Sequence, residues 1–211
     1  MLVQREEELG AIERWLNGVN GGEGGIGLLE GPAGIGKTAL LRAVAERAED
    51  IGLSVLHARG GELERSAAWA VARELLLPGL TVLDREELWK GPAAAAAAVL
   101  DGAPAEESDG PDQAFRVAHA LTSVVVELAG QQPWLFLVDD AHWGDRPSLR
   151  WLEFLARRLE RVRALVVLAA RPVEGPGDGA LQSLAARARV LRPRPLGPDG
   201  VQEVVAAQFH T

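Results

Sequence analysis

The sequence predicts an α/β fold, with a five-stranded, mainly parallel sheet flanked by helices. Short apolar runs alternate with amphipathic stretches along the chain, which is the pattern of strands joined by crossover helices. The apolar run 26–30 leads through a glycine-rich turn into the helical stretch 39–50. The most apolar run, 134–138, ends in two aspartates. Together these observations place the chain in the class of alternating α/β domains.

Five apolar runs are predicted as strands, the last of them weaker than the others. They are short and nearly continuous in apolar character, as expected of strands buried on both faces of a parallel sheet. In chain order they cover residues 26–30, 53–58, 134–138, 164–169 and 190–191.

The stretches before and between these strands carry helical periodicity. Leu149, Leu152 and Leu155 recur three residues apart, which places them on one helix face. Ser66 and Asp84 have side chains that can cap a helix N-terminus. The predicted helices cover residues 6–16, 39–50, 66–77, a segment from 84 that Gly91 and Pro92 interrupt, 93–98, 112–129 and 147–159.

Two segments are predicted as loops, and one as a new helical element. The glycine-rich run 18–25 offers few side chains to pack, so we expect a flexible loop there. The acidic, turn-rich segment 101–112 is expected to be a surface loop rather than a second metal site. Asp199 is expected to cap a last helix, so the sequence suggests a core domain over 1–195 and the start of a truncated helical lid over 196–211.

Composition excludes several classes of function. The net charge of -8 gives no field that would gather a nucleic acid, so no direct nucleic-acid binding by this fragment is expected. Without cysteine there is no disulfide framework and no thiolate zinc site. The histidines at 57, 119, 142 and 210 show no metal-ligand spacing. No stretch is long and apolar enough for a membrane helix, and we expect a cytoplasmic protein.

The turn after the first strand matches the phosphate-binding loop of P-loop NTPases. Its pattern is glycine, four residues, glycine, lysine and threonine, and a strand precedes it while a helix follows. Lys37 is one of only two lysines among 22 basic residues, so a compact point charge at this place indicates a specific role. The residues predicted to bind the phosphates of ATP or ADP are Gly31, Pro32, Ala33, Gly34, Ile35, Gly36, Lys37, Thr38 and Ala39.

The strand at 134–138 supplies the second part of the expected site. In P-loop enzymes a buried strand beside the phosphate loop ends in an aspartate that holds magnesium. We therefore expect Asp139 and the Thr38 hydroxyl to bind Mg²⁺. Asp140 points the other way on an extended chain and is the candidate general base for an attacking water.

The chain from Asp139 to Asp145 resembles a known signature. It is similar to the AAA-type ATPase domain of large LuxR-family transcriptional regulators, which belong to the STAND class of signal-transduction ATPases. The matching residues are Asp139-Asp140-Ala141-His142-Trp143-Gly144-Asp145, Leu2-Val3-Gln4-Arg5-Glu6 with Leu9, Ala58-Arg59-Gly60 with Glu64, and 166–172.

This resemblance implies further features of the site. The strand that contains Val166 would lie between the phosphate-loop strand and the Asp139 strand, which brings Arg171 near the terminal phosphate as a sensor. Val3 and Arg5 would contact the adenine. The partners implied are sensor and helix-turn-helix domains farther along the same chain, with homo-oligomerisation on activation. Lys37, Asp140 and Arg171 are thus the candidate catalytic residues.

Three functions are compatible with these residues. The first is a regulatory ATPase whose slow hydrolysis switches a transcriptional regulator between states. A second is an interaction module locked by bound nucleotide, with negligible turnover. A third is an ATPase that loads proteins onto DNA, which requires an arginine supplied in trans. For His142 and Trp143 we expect packing roles, and for Asp145 an N-cap.

Overall fold

The computed structural model describes residues 3–101, 111–172 and 179–209. Three short 3₁₀ turns also occur in these ranges, at Leu77–Val82, Ala141–Trp143 and Leu159–Arg161. The helices and strands are, in chain order, α1 (Glu6–Asn20), β1 (Gly25–Glu30), α2 (Lys37–Asp50), β2 (Ser54–Arg59), α3 (Ala70–Leu76), α4 (Arg85–Lys90), α5 (Ala94–Leu100), α6 (Pro111–Gln131), β3 (Trp134–Asp139), α7 (Arg146–Ala156), β4 (Ala164–Ala170), α8 (Gly179–Arg187), β5 (Arg189–Leu191) and α9 (Pro198–Phe209).

The five strands form one parallel sheet in the order β2-β3-β4-β1-β5. β4 pairs with β1 on one side, with Glu30 opposite Ala170, and with β3 on the other. Arg59 at the end of β2 lies opposite Asp139 at the end of β3. The five predicted strands and the insertion of β4 between β1 and β3 are confirmed, and the predicted α/β class with them.

Helices cover both faces of the sheet, because strand residues alternate between two apolar cores. From β4, Val166 and Leu168 pack in the larger core with α3, α5, α6, α7 and α8. Leu165 and Val167 point to the opposite face and pack with α1 and α2. Every residue of β4 is buried. The sheet is therefore the middle layer of three, and its central strand has no solvent-facing side.

The predicted flexible loop at 18–25 is wrong. Helix α1 continues to Asn20, and only residues 21–24 connect it to β1. The reason is apolar spacing: Ile12, Leu16 and Val19 are fully or almost fully buried on one helix face. Burial of Val19 outweighs the low helix propensity of Gly18.

The start predicted for α3 at Ser66 is also wrong. The helix begins at Ala70, and the preceding Trp69 has a left-handed φ of 67°. The backbone N–H groups of Trp69 and Val71 donate to the two carboxylate oxygens of Asp145, at 2.8 and 3.0 Å. A buried carboxylate from another element, rather than Ser66, therefore sets where α3 begins.

Asp145 also caps its own helix, as predicted. One of its oxygens accepts from the N–H of Ser148 at 2.9 Å, with Pro147 in the first turn of α7. The predicted cap at Asp84 is confirmed by its contacts with the N–H groups of Glu86 and Glu87. Asp199 lies within the first turn of α9 rather than at its cap, because the helix begins at Pro198, two residues earlier than predicted.

Most of the predicted acidic loop lies outside the described residues. None of the helices in the described ranges is long and apolar enough to cross a membrane.

We predict that Asp145→Ala destabilises the fold by about 3 kcal/mol or more, because each buried N–H left unpaired costs about 1–3 kcal/mol. Asp84→Ala is the matched control, since it removes an exposed cap worth about 1 kcal/mol. Urea denaturation of both variants measures the difference. If the free energy of unfolding falls equally in the two variants, the shared cap at Asp145 does not hold α3 against α7.

Candidate functional site

The candidate residues meet at the carboxyl edge of the sheet. Gly31 follows β1, Asp139 ends β3, and Arg171 follows β4. Because all strands are parallel, these ends lie side by side, which is where open α/β sheets bind their ligands. The fold thus brings together residues that are more than 100 positions apart in the sequence.

The loop after β1 has the backbone shape of an anion nest. Gly34 and Gly36 have φ values of 77° and 100°, a left-handed conformation that side chains rarely adopt. The loop leads directly into α2, whose first N–H groups have no partner within the helix. Gly31 is joined to the neighbouring strand by its N–H, which donates to the carbonyl of Ala170 at 3.2 Å. Backbone donors and the positive end of α2 therefore converge at one point, as phosphate binding requires.

Lys37 is the first residue of α2 and lies beneath this loop. It is 7% exposed, and its ammonium donates to the carbonyls of Gly31 and Pro32, each at 2.8 Å. Burial lowers the pKa of Lys37, and the charge of Arg171 lowers it further, while Asp140 and Asp139 oppose the change. The ammonium is thus held against the backbone of the loop, where the charges of two carboxylates act on it.

Thr38 and Asp139 are in direct contact. The Thr38 hydroxyl donates to one carboxylate oxygen of Asp139 at 2.7 Å, and the other oxygen accepts from the N–H of Asp140 at 2.8 Å. A hydroxyl and a carboxylate are the hard oxygen ligands that Mg²⁺ uses together with substrate phosphates. The described residues contain no cluster of three or more metal-binding side chains. The pair suits a metal that is shared with a phosphate ligand.

Asp140 differs from its prediction in backbone conformation. Its φ is 48°, so the chain is left-handed rather than extended at this residue. Its carboxylate accepts from Nη2 and Nε of Arg59, at 2.8 and 3.1 Å. The side-chain hydrogen bond to Asp140 raises the pKa of Arg59. The structure thus turns the carboxylate toward the end of β2, because the next residues enter the turn Ala141–Trp143 at once.

The ion pair between Arg59 and Asp140 was not predicted from the sequence, where Arg59 was noted only as part of the family resemblance. The available signal was positional: β2 ends in a cation and β3 ends in two anions, and the ends of parallel neighbours lie side by side.

His142 lies in the same neighbourhood. Both ring nitrogens are buried and have no hydrogen-bond partner among the described residues, and the ring lies 5.2 Å from that of Trp143, centroid to centroid. Burial lowers the pKa of His142, and the charges of Asp140, Arg171, Lys37 and Asp139 also act on it. The packing role expected for His142 and Trp143 stays a prediction, and the imidazole is neutral near pH 7.

Arg171 and the N-terminal residues occupy different surroundings. Arg171 is exposed at the edge beside these groups, and its sensor role stays a prediction. Val3 is buried. Arg5 is also buried, and its guanidinium donates to Glu8 and to the carbonyls of Ile35 and Arg194. The adenine contacts predicted for Val3 and Arg5 remain untested, and the contacts that Arg5 does make are with protein.

Comparison with known proteins agrees with this geometry. A family model described as AAA ATPase domain matches residues 1–168. An uncharacterized protein of Rhizobium meliloti is 28% identical over 190 residues, which span 81% of this chain and 18% of that protein. The chain thus covers less than a fifth of the length of this relative.

Solved structures with the same fold are more distant in sequence. The Aeropyrum pernix ORC1 protein in complex with DNA has a TM-score of 0.58 at 17% identity, covering 99% of this chain and 50% of that one. Drosophila ORC bound to DNA has a TM-score of 0.59 at 17% identity, over 98% and 47% of the two chains. AMPPCP-bound DnaA from Aquifex aeolicus has a TM-score of 0.53 at 12% identity, over 98% and 52%. At such identities the likeness shows the fold alone.

We predict that His142 makes stability depend on pH. Its pKa in the folded protein lies below the unfolded value of about 6.5, so the unfolded chain takes up the proton first as the pH falls. The free energy of unfolding should therefore decrease from about pH 6.5 downward. Urea denaturation at pH 7.5 and 5.5 should show a smaller decrease for His142→Gln than for the unchanged protein. The control is His57→Gln, which replaces an exposed histidine on β2. If the free energy of unfolding decreases between pH 7.5 and 5.5 by the same amount in His142→Gln as in His57→Gln, the assignment is contradicted.

Proposed function

The chain belongs to the AAA ATPase domain family, and from this premise we propose that it binds ATP or ADP with Mg²⁺ and hydrolyses ATP slowly. The single observation that carries the proposal is the 2.7 Å contact between Thr38 and Asp139. It joins the phosphate loop, which supplies donors for the phosphates, to the end of β3, which supplies a carboxylate for the metal. DnaA of Aquifex aeolicus, which shares the fold, was solved with AMPPCP bound.

The loop and Lys37 would bind the phosphates. The N–H groups from Ala33 to Gly36 and the start of α2 supply neutral donors, and the ammonium of Lys37 supplies charge. Thr38 and Asp139 would hold Mg²⁺, which neutralises charge on the phosphates when bound. Arg171 is proposed as the sensor beside them.

Asp140 is proposed as the base for hydrolysis. In that step a water oxygen bonds to the terminal phosphorus, the bond from that phosphorus to the bridging oxygen breaks, and the water proton passes to the Asp140 carboxylate. ADP and phosphate leave, and the proton goes on to solvent. Arg59 donates both of its hydrogen bonds to one oxygen of this carboxylate, Oδ2, so the other oxygen is proposed to take the proton. We expect slow turnover by the chain alone, below roughly 1 per second, the lower end for kinases, because an arginine supplied in trans accelerates reactions of this class about 10³- to 10⁵-fold.

The same ion pair favours a second candidate function. If Arg59 keeps Asp140 engaged, the domain is a nucleotide-locked interaction module with negligible turnover. An exposed ion pair is weak because water competes for both charges, so it is expected to slow release of the carboxylate only slightly. Slow hydrolysis is thus the preferred proposal. Single-turnover phosphate release from bound ATP decides between the two functions, since the locked module would show none.

The proposed context is a longer regulatory chain. Residues 1–195 would form the ATPase core and 196–211 the start of a helical lid, with downstream sensor and helix-turn-helix domains that make the protein a cytoplasmic transcriptional regulator of the LuxR type. Homo-oligomerisation on activation belongs to the same proposal. The relative from Rhizobium meliloti is long enough to hold such domains, since the match spans 18% of it.

Loading of proteins onto DNA is the third candidate. Its support is the fold shared with ORC1 and ORC, which were solved with DNA. The net charge of -8 opposes a nucleic-acid contact by this part of the chain. DNA contact is therefore proposed for other domains.

We predict that Lys37→Ala weakens nucleotide binding and leaves the fold intact. A hydrogen bond to a charged group is worth about 1.5–3 kcal/mol, or about 10- to 150-fold in affinity. Lys37→Arg should also weaken binding, because the planar guanidinium is too bulky for the space beneath the loop. Calorimetric titration with ADP measures both variants against Lys90→Ala, which removes the other lysine, an exposed one. Unchanged ADP affinity in Lys37→Ala would show that the loop is not part of the nucleotide site.

We predict that variants of the two aspartates fail differently. Asp139→Ala should lose most of the magnesium dependence of nucleotide affinity, together with hydrolysis. Asp140→Asn should keep that dependence while single-turnover hydrolysis falls about 100-fold or more, the usual contribution of a general base. Affinity with and without magnesium and phosphate release are measured for each. Equal loss of magnesium-dependent affinity in both variants would make the pair one metal site, and full hydrolysis by Asp140→Asn would exclude it as the base.

A further inference from the structure

Arg5 connects three separate parts of the chain through one buried side chain. It is 5% exposed. Its Nη1 donates to Oε1 of Glu8 at 3.1 Å and to the carbonyl of Arg194 at 2.7 Å, and its Nη2 donates to the carbonyl of Ile35 at 2.9 Å. These partners lie 3, 189 and 30 residues away in the sequence. Removal of a charge from water is unfavourable unless its donors are paired, and three partners meet that condition.

The contact with Ile35 fixes the direction of a phosphate-loop donor. In a trans peptide the carbonyl of one residue and the N–H of the next point to opposite sides. The described residues contain no cis peptide, so a carbonyl of Ile35 that points to Arg5 turns the N–H of Gly36 away from it. A Cβ built on Gly36 would lie 3.8 Å from Nη2 of Arg5, so the guanidinium lies directly behind the loop. Arg5 thus supports the loop from the side opposite to the N–H of Gly36.

The other contact reaches the entry to α9. The carbonyl of Arg194 lies in the connection between β5 and α9. Beside it, Oε1 of Gln4 accepts from the N–H of Gly197 at 3.0 Å, and Gly197 in turn accepts from the N–H of Val201 in α9. The side chains described along α9 after Gly200 are mostly exposed. Gln4 and Arg5 therefore join the entry of α9 to the N-terminal segment, and Arg5 also joins it to the phosphate loop.

We propose that Arg5 is a positioning residue that couples the phosphate loop to α9. Nucleotide phosphates that bind the N–H of Gly36 hold the Ile35–Gly36 peptide in one orientation. Arg5, already bound to that peptide, then holds the carbonyl of Arg194 and with it the entry to α9. The order of α9 thus depends on occupancy of the loop. This proposal rests on nucleotide binding at the proposed site and adds a route by which the site acts on the chain beyond the core.

The test is backbone hydrogen exchange of the 211-residue protein with and without saturating Mg-ADP. Coupling free energies between sites are typically about 1–3 kcal/mol, so bound ADP should slow exchange in α9 by roughly fivefold or more. In Arg5→Met, the ADP concentration is raised until residues 31–38 are slowed as in the unchanged protein; exchange in α9 should then stay at its nucleotide-free rate. Arg157→Met, which removes an exposed ion pair on α7, is the matched control and should behave as the unchanged protein does.

Two further measurements keep the proposal open to refutation. Arg5→Lys retains the charge, but one ammonium cannot bridge both carbonyls as the guanidinium fork does. This variant replaces Arg5→Met in the test if Arg5→Met does not fold, and far-UV circular dichroism shows whether it folds. ADP-dependent slowing of α9 that persists in the Arg5 variants would overturn the coupling and leave nucleotide binding intact. No slowing of residues 31–38 in the unchanged protein would instead overturn the proposed function, and the coupling with it.

Discussion

The pairing of β4 with both β1 and β3 sets the distances on which the candidate site depends. Neighbouring strands lie about 4.8 Å apart, so β1 and β3 are separated by roughly 10 Å. The phosphate loop and the first turn of α2 extend across that gap from β1, and the Thr38 hydroxyl reaches Asp139 at 2.7 Å. β4 can hold this place because all its side chains are apolar and buried between two layers of helices. A strand with a polar face could not separate β1 from β3 in this way.

Three cations meet at this edge of an acidic molecule. The net charge is -8, yet Lys37, Arg59 and Arg171 lie near Asp139 and Asp140 at the carboxyl ends of the strands, while Glu30 at the end of β1 is paired with Arg192. Burial lowers the pKa of Lys37, and the two carboxylates oppose that change, so they help to keep the ammonium charged. Cations gathered at one edge of an acidic protein suit a small polyanion such as a nucleotide and do not suit a long nucleic acid. The electrostatics thus agree with the proposed ligand class.

Sequence reasoning succeeded where the chemistry is local. The phosphate loop is encoded by contiguous residues, and the strands by short apolar runs. The Thr38–Asp139 pair followed from knowing which two motifs such sites combine. Prediction from the sequence failed where a distant side chain decides the local structure. Asp145 sets the start of α3, and Arg59 binds the carboxylate of Asp140. Arg5 shows the same limit, since its partners Ile35 and Arg194 come near it only once the sheet has formed.

Paramagnetic relaxation by Mn²⁺ in place of Mg²⁺ tests most directly whether the loop and the acidic strand form one metal–nucleotide site. Addition of Mn-ADP to the isotopically labelled protein should broaden the backbone amide signals of residues 31–39 and of Asp139 and Asp140 together, while those of α6 stay sharp. Broadening centred on another part of the chain, or confined to one of the two segments, would contradict the account. The result depends only on distance from the bound metal, and so it locates the site without reference to turnover.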